Sequence, residues 1–435
     1  LFVLLFTFIS AILLKEGVNT VPKRNGQNPS SIRINNHKIV LDIVRQSKSI
    51  TVTQISDKIL LSKTTLWKII DHFLEQNLVI NRGKAKASDD GGKRPELYAF
   101  NNAYGYVISI TIYGSFILLA LTDAGSQIYY KETVFLHENE SLERVIGIVS
   151  AFIKKWQEPE NLPTDRRSSK LLGIVIAASG VIDNQKGICF TASRFNAWPA
   201  EARIKELIKE QVTLKAPFYI DNYNRFFAVA EKELGGFFDK KNIVDVVAVH
   251  DGLGAGIIAE NKIKRGPRFL TGEIGHICLN PFYTDRCHCG GHGCFEQLVS
   301  SELLLKQAFE HRDDHADSLI YQNSNATVTL QDIFKAADKE DNWARELLDE
   351  VIKWFAIGFQ NILYVFNPEV IIISGDYRHA GEYFKQKLLS NIDNLSLVRM
   401  KKNIVIEYSK FDEEGALLGG ASYVIHDYFN NRHEY

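Results

Sequence analysis

The 435-residue chain has almost no net charge, only five cysteines, and no apolar run as long as the roughly 18 residues needed to cross a bilayer. A net charge of −1 with 24% charged residues excludes a global bias towards nucleic acid or membrane surfaces. Five cysteines are an odd total, and three of them cluster at metal-ligand spacing. That argues against a disulfide framework and for a reducing, cytoplasmic setting. The longest apolar run, Leu1 to Leu14, lacks a basic segment in front and a small-residue cleavage site. It reads as an unstructured or mis-started leader, with a packing or membrane-associated segment as the alternative, and no stable membrane insertion is expected.

The near-zero charge conceals an asymmetry. Residues 1–100 hold 15 Lys+Arg against 8 Asp+Glu, while the remainder holds 36 against 44. A basic head on an acidic body suggests that the head meets phosphate. Residues 17–32 read as a polar linker, followed by three short helical patterns over Asn36–Ser47, Thr51–Leu60 and Ser62–Gln76. The tight turn at Leu60-Leu61 gives the spacing of a helix-turn-helix, whose second helix enters the major groove by its N-terminal residues. The DNA-facing candidates are Ser62, Lys63, Thr64, Thr65 and Lys68; a plain three-helix bundle with a polar outer face is the alternative. Strands at Leu78–Asn81 and Glu96–Asn101 flank a Gly-rich basic tip, which reads as a wing. Arg82, Lys84, Lys86, Lys93 and Arg94 there could touch phosphate, with Asp89 and Asp90 opposing.

From Tyr104 onward strands alternate with helices, among them helices over Leu142–Trp156, Ala200–Gln211 and 342–366 and, directly after the strand Val370–Ser374, a closing helix over Glu414–Phe429, as expected of two α/β lobes around a cleft. The expected divisions are a leader and linker over 1–34, a winged helix-turn-helix over 35–101, a first lobe from 102–220 plus 415–435, and a second lobe over 221–414. The second lobe contains GEIGHICLNPFYTDRCHCGGHGCFE, residues 272–296. His276, Cys287, Cys289 and Cys294 match the ligand set of a closed, structural Zn2+ site, and the glycines between them permit tight turns. A closed site leaves no open position for water, so the metal is expected to fix its neighbours' geometry. His288 and His292 read as solvent-facing, although either could replace one of the four.

The winged helix, the GEIGH run, the CHCGGHGCFE cluster and the segment IDNYNRFFAVAE (220–231) together resemble the ROK family of sugar-responsive repressors and sugar kinases. The resemblance covers about residues 35–430 and implies the actin-like, ribonuclease H-like pair of lobes. It implies sugar contacts from Asn222, Glu273, His276 and Glu296, with the ASGVID turn (Ser179 and Gly180 included) closing the cleft. It also exposes losses. The family's catalytic Asp falls on Tyr223, and a phenol cannot accept a hydroxyl proton at neutral pH as a carboxylate does. Asp221 would need a local slip to serve instead. The turn that holds phosphate in kinases has Thr111 for its acid and Tyr113 for a glycine. A second phosphate loop reads His250-Asp251-Gly252-Leu253-Gly254-Ala255-Gly256, with an acid that repels phosphate. The resemblance therefore implies a homodimeric or homotetrameric repressor that binds operator DNA and a sugar or sugar derivative, and no enzyme. An ATP-dependent sugar kinase with an appended DNA-binding domain is the alternative, and a protein whose body recruits another protein is a third reading. Tyr223 projecting into the pocket could narrow it or stack on a sugar ring, which would alter the ligand class.

Overall fold

The computed structural model describes residues 29–85, 94–191, 198–249, 252–322, 327–395 and 405–431. Lys86, Asp89, Asp90, Lys93, His250, Asp251 and the apolar leader lie outside them. The chain divides into two compact units, one ending at Phe100 and the other spanning Asn101–Asn431.

In the first unit, α1 (Pro29–Arg45) buries Val40, Leu41 and Val44, which recur at helical spacing. The helix α2 (Val52–Lys58) opens on a reciprocal cap, Gln54 N–H to Thr51 Oγ1 at 3.2 Å and Thr51 N–H to Gln54 Oε1 at 2.9 Å. The helix α3 (Lys63–Glu75) is capped by Ser62, whose Oγ accepts from Thr65 N–H at 3.1 Å. It turns Leu66, Ile69, Ile70 and Phe73 inward. The strands β1 (Val79–Lys84) and β2 (Glu96–Phe100) pair antiparallel, and an isolated bridge joins Ile50 to Tyr98. Three helices backed by a small hairpin are the elements expected of a winged helix.

The second unit opens with the meander β3 (Gly105–Ile112), β4 (Phe116–Asp123) and β5 (Ile128–Phe135). The helix α4 (Leu142–Trp156) and the strand β6 (Lys170–Ala178) follow, then the short hairpin β7 (Val181–Asp183) and β8 (Ile188–Thr191). Next come α5 (Ile204–Gln211), β9 (Phe218–Asn222) and α6 (Tyr223–Glu233). A second meander is built from β10 (Ile243–Val249), β11 (Gly252–Ala259) and β12 (Lys262–Ile263). Beyond the cysteine-rich stretch lie α7 (Phe295–Leu298), α8 (Ser301–Glu310), α9 (Leu330–Asp338) and α10 (Asn342–Phe366). The chain then runs through β13 (Val370–Gly375), α11 (Gly381–Leu395), β14 (Ile406–Tyr408) and α12 (Glu414–Asn430).

The two five-stranded sheets run β5-β4-β3-β6-β9 and β12-β11-β10-β13-β14. Within each, the spatial order is third, second, first, fourth, fifth in chain order. In each, an antiparallel meander continues into parallel strands. This repeated topology is the actin-like pair of lobes. The strands β3 and β6 are buried on both faces, which is why they read as unbroken apolar runs.

Three expectations change. The helix expected over Ala200–Gln211 begins only at Ile204, because Ala202 bridges to Cys189 and leaves the helical path. The glycines of 252–256 do not form a loop: they lie in β11, with Gly252, Gly254 and Gly256 opposite Val249, Val247 and Asp245 of β10. The helix α11, absent from the expected elements, buries Phe384, Leu388 and Ile392 at four-residue spacing. No helix among the described residues is long and apolar enough to cross a membrane.

The helix α12 lies on β3 and β6 and crosses α6 closely at Gly419, where an added Cβ would come 1.8 Å from Phe226 O. Gly419→Ala is expected to force the helices apart and to cost about 1–3 kcal/mol in urea unfolding. Nearby, Asp245 and Glu231 are fully buried carboxylates, bonded to Ser374 Oγ (2.6 Å) and Ser409 Oγ (2.5 Å) respectively. Each has one oxygen without a partner. Burial pushes both groups above the ordinary carboxylate range, and for Asp245 the Glu231 charge adds to the rise. A carboxyl raised in the folded state makes folding less favourable as pH rises. Asp245→Asn, which keeps the acceptor for Ser374, is therefore expected to raise the melting temperature by a few degrees (about 1 kcal/mol) at pH 8. At pH 4 the gain should shrink towards zero.

Candidate sugar and metal site

The strand β9 ends in Asp221-Asn222, and Asn222 caps α6: its Oδ1 accepts from Asn224 N–H at 2.8 Å. Its Nδ2 donates to Gly180 O at 2.8 Å, so the expected sugar ligand is bolted to the ASGVID turn. Gly180 has φ +103°, and a Cβ there would lie 1.8 Å from Thr191 O; no other residue fits. Ser179 is buried beside it. One Nδ2 hydrogen and one lone pair of the Asn222 amide remain for a ligand.

Asp221 is engaged through both carboxylate oxygens. Its Oδ1 accepts from Arg225 Nη1 at 2.5 Å and from Asn222 N–H at 2.9 Å, and its Oδ2 accepts from Arg265 Nε at 2.6 Å. Arg225 is itself buried, with Nη2 on Phe269 O at 2.5 Å. Two guanidinium groups thus hold the Asp221 carboxylate. Sequence reading missed this triad. The four-residue spacing of Asp221, at the end of β9, and Arg225, in the first turn of α6, was a usable signal, whereas nothing local marked Arg265.

Tyr223 packs among aromatic rings. Its ring lies 5.5 Å from Tyr113 and 6.4 Å from Phe227. Tyr113 in turn stacks 4.8 Å from Phe116 and donates its hydroxyl to Glu413 O at 2.7 Å. Burial pushes the Tyr113 phenol well above its ordinary range. The two residues that the family resemblance sets against a kinase's base and its phosphate-turn glycine thus pack on each other.

His276 ends a single 3-10 turn, Ile274–His276, and Cys278 bridges to Cys294 across a tight loop. Gly293, at φ +59°, would place a Cβ 1.7 Å from Asn280 O, so the loop closes only with glycine there. This folding brings together all four expected metal ligands, with ligand atoms within 4.8 Å of one another. Cys289 and Cys294 Sγ are 3.6 Å apart, and Cys287 Sγ is 3.7 Å from His276 Nδ1. A zinc tetrahedron with bonds of 2.0–2.3 Å has edges of roughly 3.5–3.8 Å, so the donors fit the ion. A second set overlaps it: His276, Cys287, His288 and Glu296. Glu296 Oε1 is 3.0 Å from Cys287 Sγ, 3.3 Å from His276 Nδ1 and 3.4 Å from His288 Nδ1. His288 is thus half-exposed but turned towards the cluster, and only His292 is simply exposed.

Because His276 presents Nδ1 to the cysteines, its Nε2 is left for another partner. Glu273 stands beside it and accepts no hydrogen bond from a described residue. Burial raises its carboxyl above the ordinary range, with His276 and Arg225 pulling it back. A half-buried acceptor without a donor is what a polyhydroxylated ligand would complete.

On the other unit, Lys63, Thr64, Trp67, Lys68 and Asp71 form the exposed face of α3, and Arg82, Lys84 and Arg94 are exposed on the hairpin. The hydroxyls of Ser62 and Thr65 bond each other at 2.8 Å, so these two serve the cap. Trp67, 42% exposed with its edge on Tyr98, was missed although it lies one turn from Thr64 and Lys63.

Comparison with known proteins places this geometry. Residues 107–427 match the model of the ROK family. The xylose repressor of Caldicellulosiruptor bescii is 29% identical over 399 residues, covering 90% of this chain and 96% of that protein. A glucokinase of Halalkalibacterium halodurans is 26% identical over 257 residues, 59% of this chain and 76% of its own. Among solved structures, a ROK family transcriptional regulator homologous to the E. coli MLC protein superposes with TM-score 0.70 at 22% identity, covering 92% and 97% of the two chains.

Proposed function

The chain belongs to the ROK family, and from that premise we propose that it is a transcriptional repressor that binds operator DNA through α3 and the hairpin and senses a sugar in the cleft beside Asn222 and Glu273. The observation that carries the reading is the Tyr113–Tyr223 contact. It fills with two aromatic rings the positions where phosphoryl transfer needs an open backbone and a carboxylate. The extent of the likeness adds support: the xylose repressor aligns over both units, whereas the glucokinase aligns over 59% of the chain.

In this reading Asn222, Glu273, Glu296 and His276 Nε2 hold sugar hydroxyls, the carboxylates accepting and the imidazole N–H donating. His276, Cys287, Cys289 and Cys294 would hold a structural zinc ion, which when bound fixes the tautomer of His276. The chain's own residues then do the sensing. A ligand that bridges Asn222, at the end of β9 in the first sheet, and Glu273, beyond β12 of the second sheet, favours one arrangement of the two sheets over another, and that difference in binding free energy drives the response. Two or four copies would present paired recognition helices to a two-part operator, and the setting is read as cytoplasmic.

Purified protein given ATP and a panel of pentoses, hexoses and N-acetylhexosamines should release no ADP above background. The same panel, led by D-xylose, should alter the anisotropy of labelled operator DNA. Clear turnover would overturn the reading.

A further inference from the structure

A second cleft, of about 900 Å³, opens between α6, the β11–β12 hairpin and α12, and none of the sugar- or metal-site residues lines it. Its volume suits a small molecule. Val229, Ile258, Ile263 and Tyr423 give it an apolar wall, and Phe238, 44% exposed, stands at its edge.

Its charges are unevenly committed. Four cations, Lys232, Lys241, Lys262 and Arg265, face two carboxylates, Glu233 and Asp239. Lys232 is spent on Phe238 O (3.0 Å) and Lys240 O (2.6 Å), and Asp239 is spent on Lys240 Nζ (3.0 Å). Lys241 and Lys262 are exposed, and their ammonium groups pair with no carboxylate among the described residues, although the Lys241 backbone N–H donates to Glu369 Oε2 at 2.6 Å. The groove between α10 and α11, of similar size, differs: Lys387 pairs with Asp349 at 2.8 Å and Lys353 with Glu350 at 3.2 Å. That groove neutralises itself, while the α6–α12 cleft leaves an apolar wall under uncommitted ammonium groups.

One lining residue leads out of the cleft. Arg265 donates through Nε to Asp221 Oδ2, while Asp221 Oδ1 receives Asn222 N–H and Arg225 Nη1. Anything that draws the Arg265 guanidinium towards the cleft competes with Asp221 and so bears on Asn222, the sugar-facing end of β9. We propose that the cleft between α6, β11–β12 and α12 is a second ligand site, for a small amphipathic anion with an apolar ring body and a carboxylate, sulfonate or phosphate group, and that Arg265 couples its occupancy to the sugar cleft. The apolar wall takes the body, Lys241 and Lys262 take the anion, and the Arg265–Asp221 pair is the physical link between the sites.

The test uses the full chain and 1-anilinonaphthalene-8-sulfonate, an aromatic sulfonate, and requires neither sugar nor DNA, so it stands apart from the repressor reading. Saturable fluorescence enhancement with about one site per chain is expected. The double variant Lys241→Glu/Lys262→Glu should weaken it at least ~10-fold, about 1.4 kcal/mol, while Lys241→Arg/Lys262→Arg retains it. Lys353→Glu, in the other groove, should leave it unchanged. Equal binding by wild type and the Glu double variant would overturn the site, as would equal weakening in Lys353→Glu. Thermal melting of each variant separates loss of binding from loss of fold. On saturation, amide exchange over residues 218–230 should slow or quicken relative to the free protein; unchanged exchange there would overturn the coupling.

Discussion

Cys289→Ser is expected to lower bound zinc from about one ion per chain to none, because a hydroxyl cannot replace a thiolate in a site of this size. Sugar affinity should fall more than ~100-fold with it, since His276 then loses the partner that orients its ring. The experiment also decides between the two overlapping donor sets. His276, Cys287, Cys289 and Cys294 need Cys289; His276, Cys287, His288 and Glu296 do not. If the first set holds the ion, Cys289→Ser loses it and His288→Ala keeps it. The reverse pattern would assign the ion to the carboxylate-bearing set and withdraw Glu296 from sugar binding. Metal content by plasma mass spectrometry and sugar titration calorimetry on the same preparations give both readouts. The softness of three sulfurs and the tetrahedral edge lengths favour the first outcome.

Reversing two charges on α3, Lys63→Glu with Lys68→Glu, should reduce operator affinity at least ~100-fold near 0.1 M salt. It should also lower the slope of log affinity against log salt by about 2, one unit for each lost phosphate contact. Both residues are exposed, so the unit's core of Leu66, Ile69, Ile70 and Phe73 is untouched and the melting temperature should hold. Trp67→Ala is an informative companion: a loss of affinity with no change of salt slope would mark the indole as an apolar contact to a base edge or sugar. Unchanged binding in the charge-reversed protein would sink the assignment of α3 as the recognition helix.

The clustering of the candidate metal ligands was legible because their chemistry is local. Three cysteines and a histidine within twenty residues, with Gly290 and Gly293 at positive φ, leave few ways to fold. Helices with strong start signals were legible for the same reason: Ser62, Asp341 and Ser141 each cap the helix that follows them. What escaped was long-range. The contact of Tyr223 with Tyr113, 110 positions earlier in the chain, has no local signal. The Arg265–Asp221 pair spans 44 positions and joins the end of β9 to the chain beyond β12, and no periodicity announces such a contact. The helix α11 was missed because it opens on Gly381, at φ +85°, rather than on a capping side chain. The glycines of 252–256 misled in the opposite direction, reading as a loop where β10 supplies a full complement of ladder bonds.

The helix α12 sets an order of events during synthesis. It covers β3 and β6, and Ser109 donates its hydroxyl to Leu417 O at 2.7 Å, so the first lobe's sheet cannot be closed until residues beyond 414 have emerged. The second lobe, from β10 to β14, is complete by residue 408 and lies nested inside that interval. At roughly 5–20 residues per second, the stretch from β3 to α12 takes on the order of 15–60 s to translate. For that time the buried face of β3 and β6 waits without its cover, while the winged-helix unit, complete by Phe100, can already fold. A message broken late in its length would thus yield a folded DNA-binding head on a sensor that cannot close.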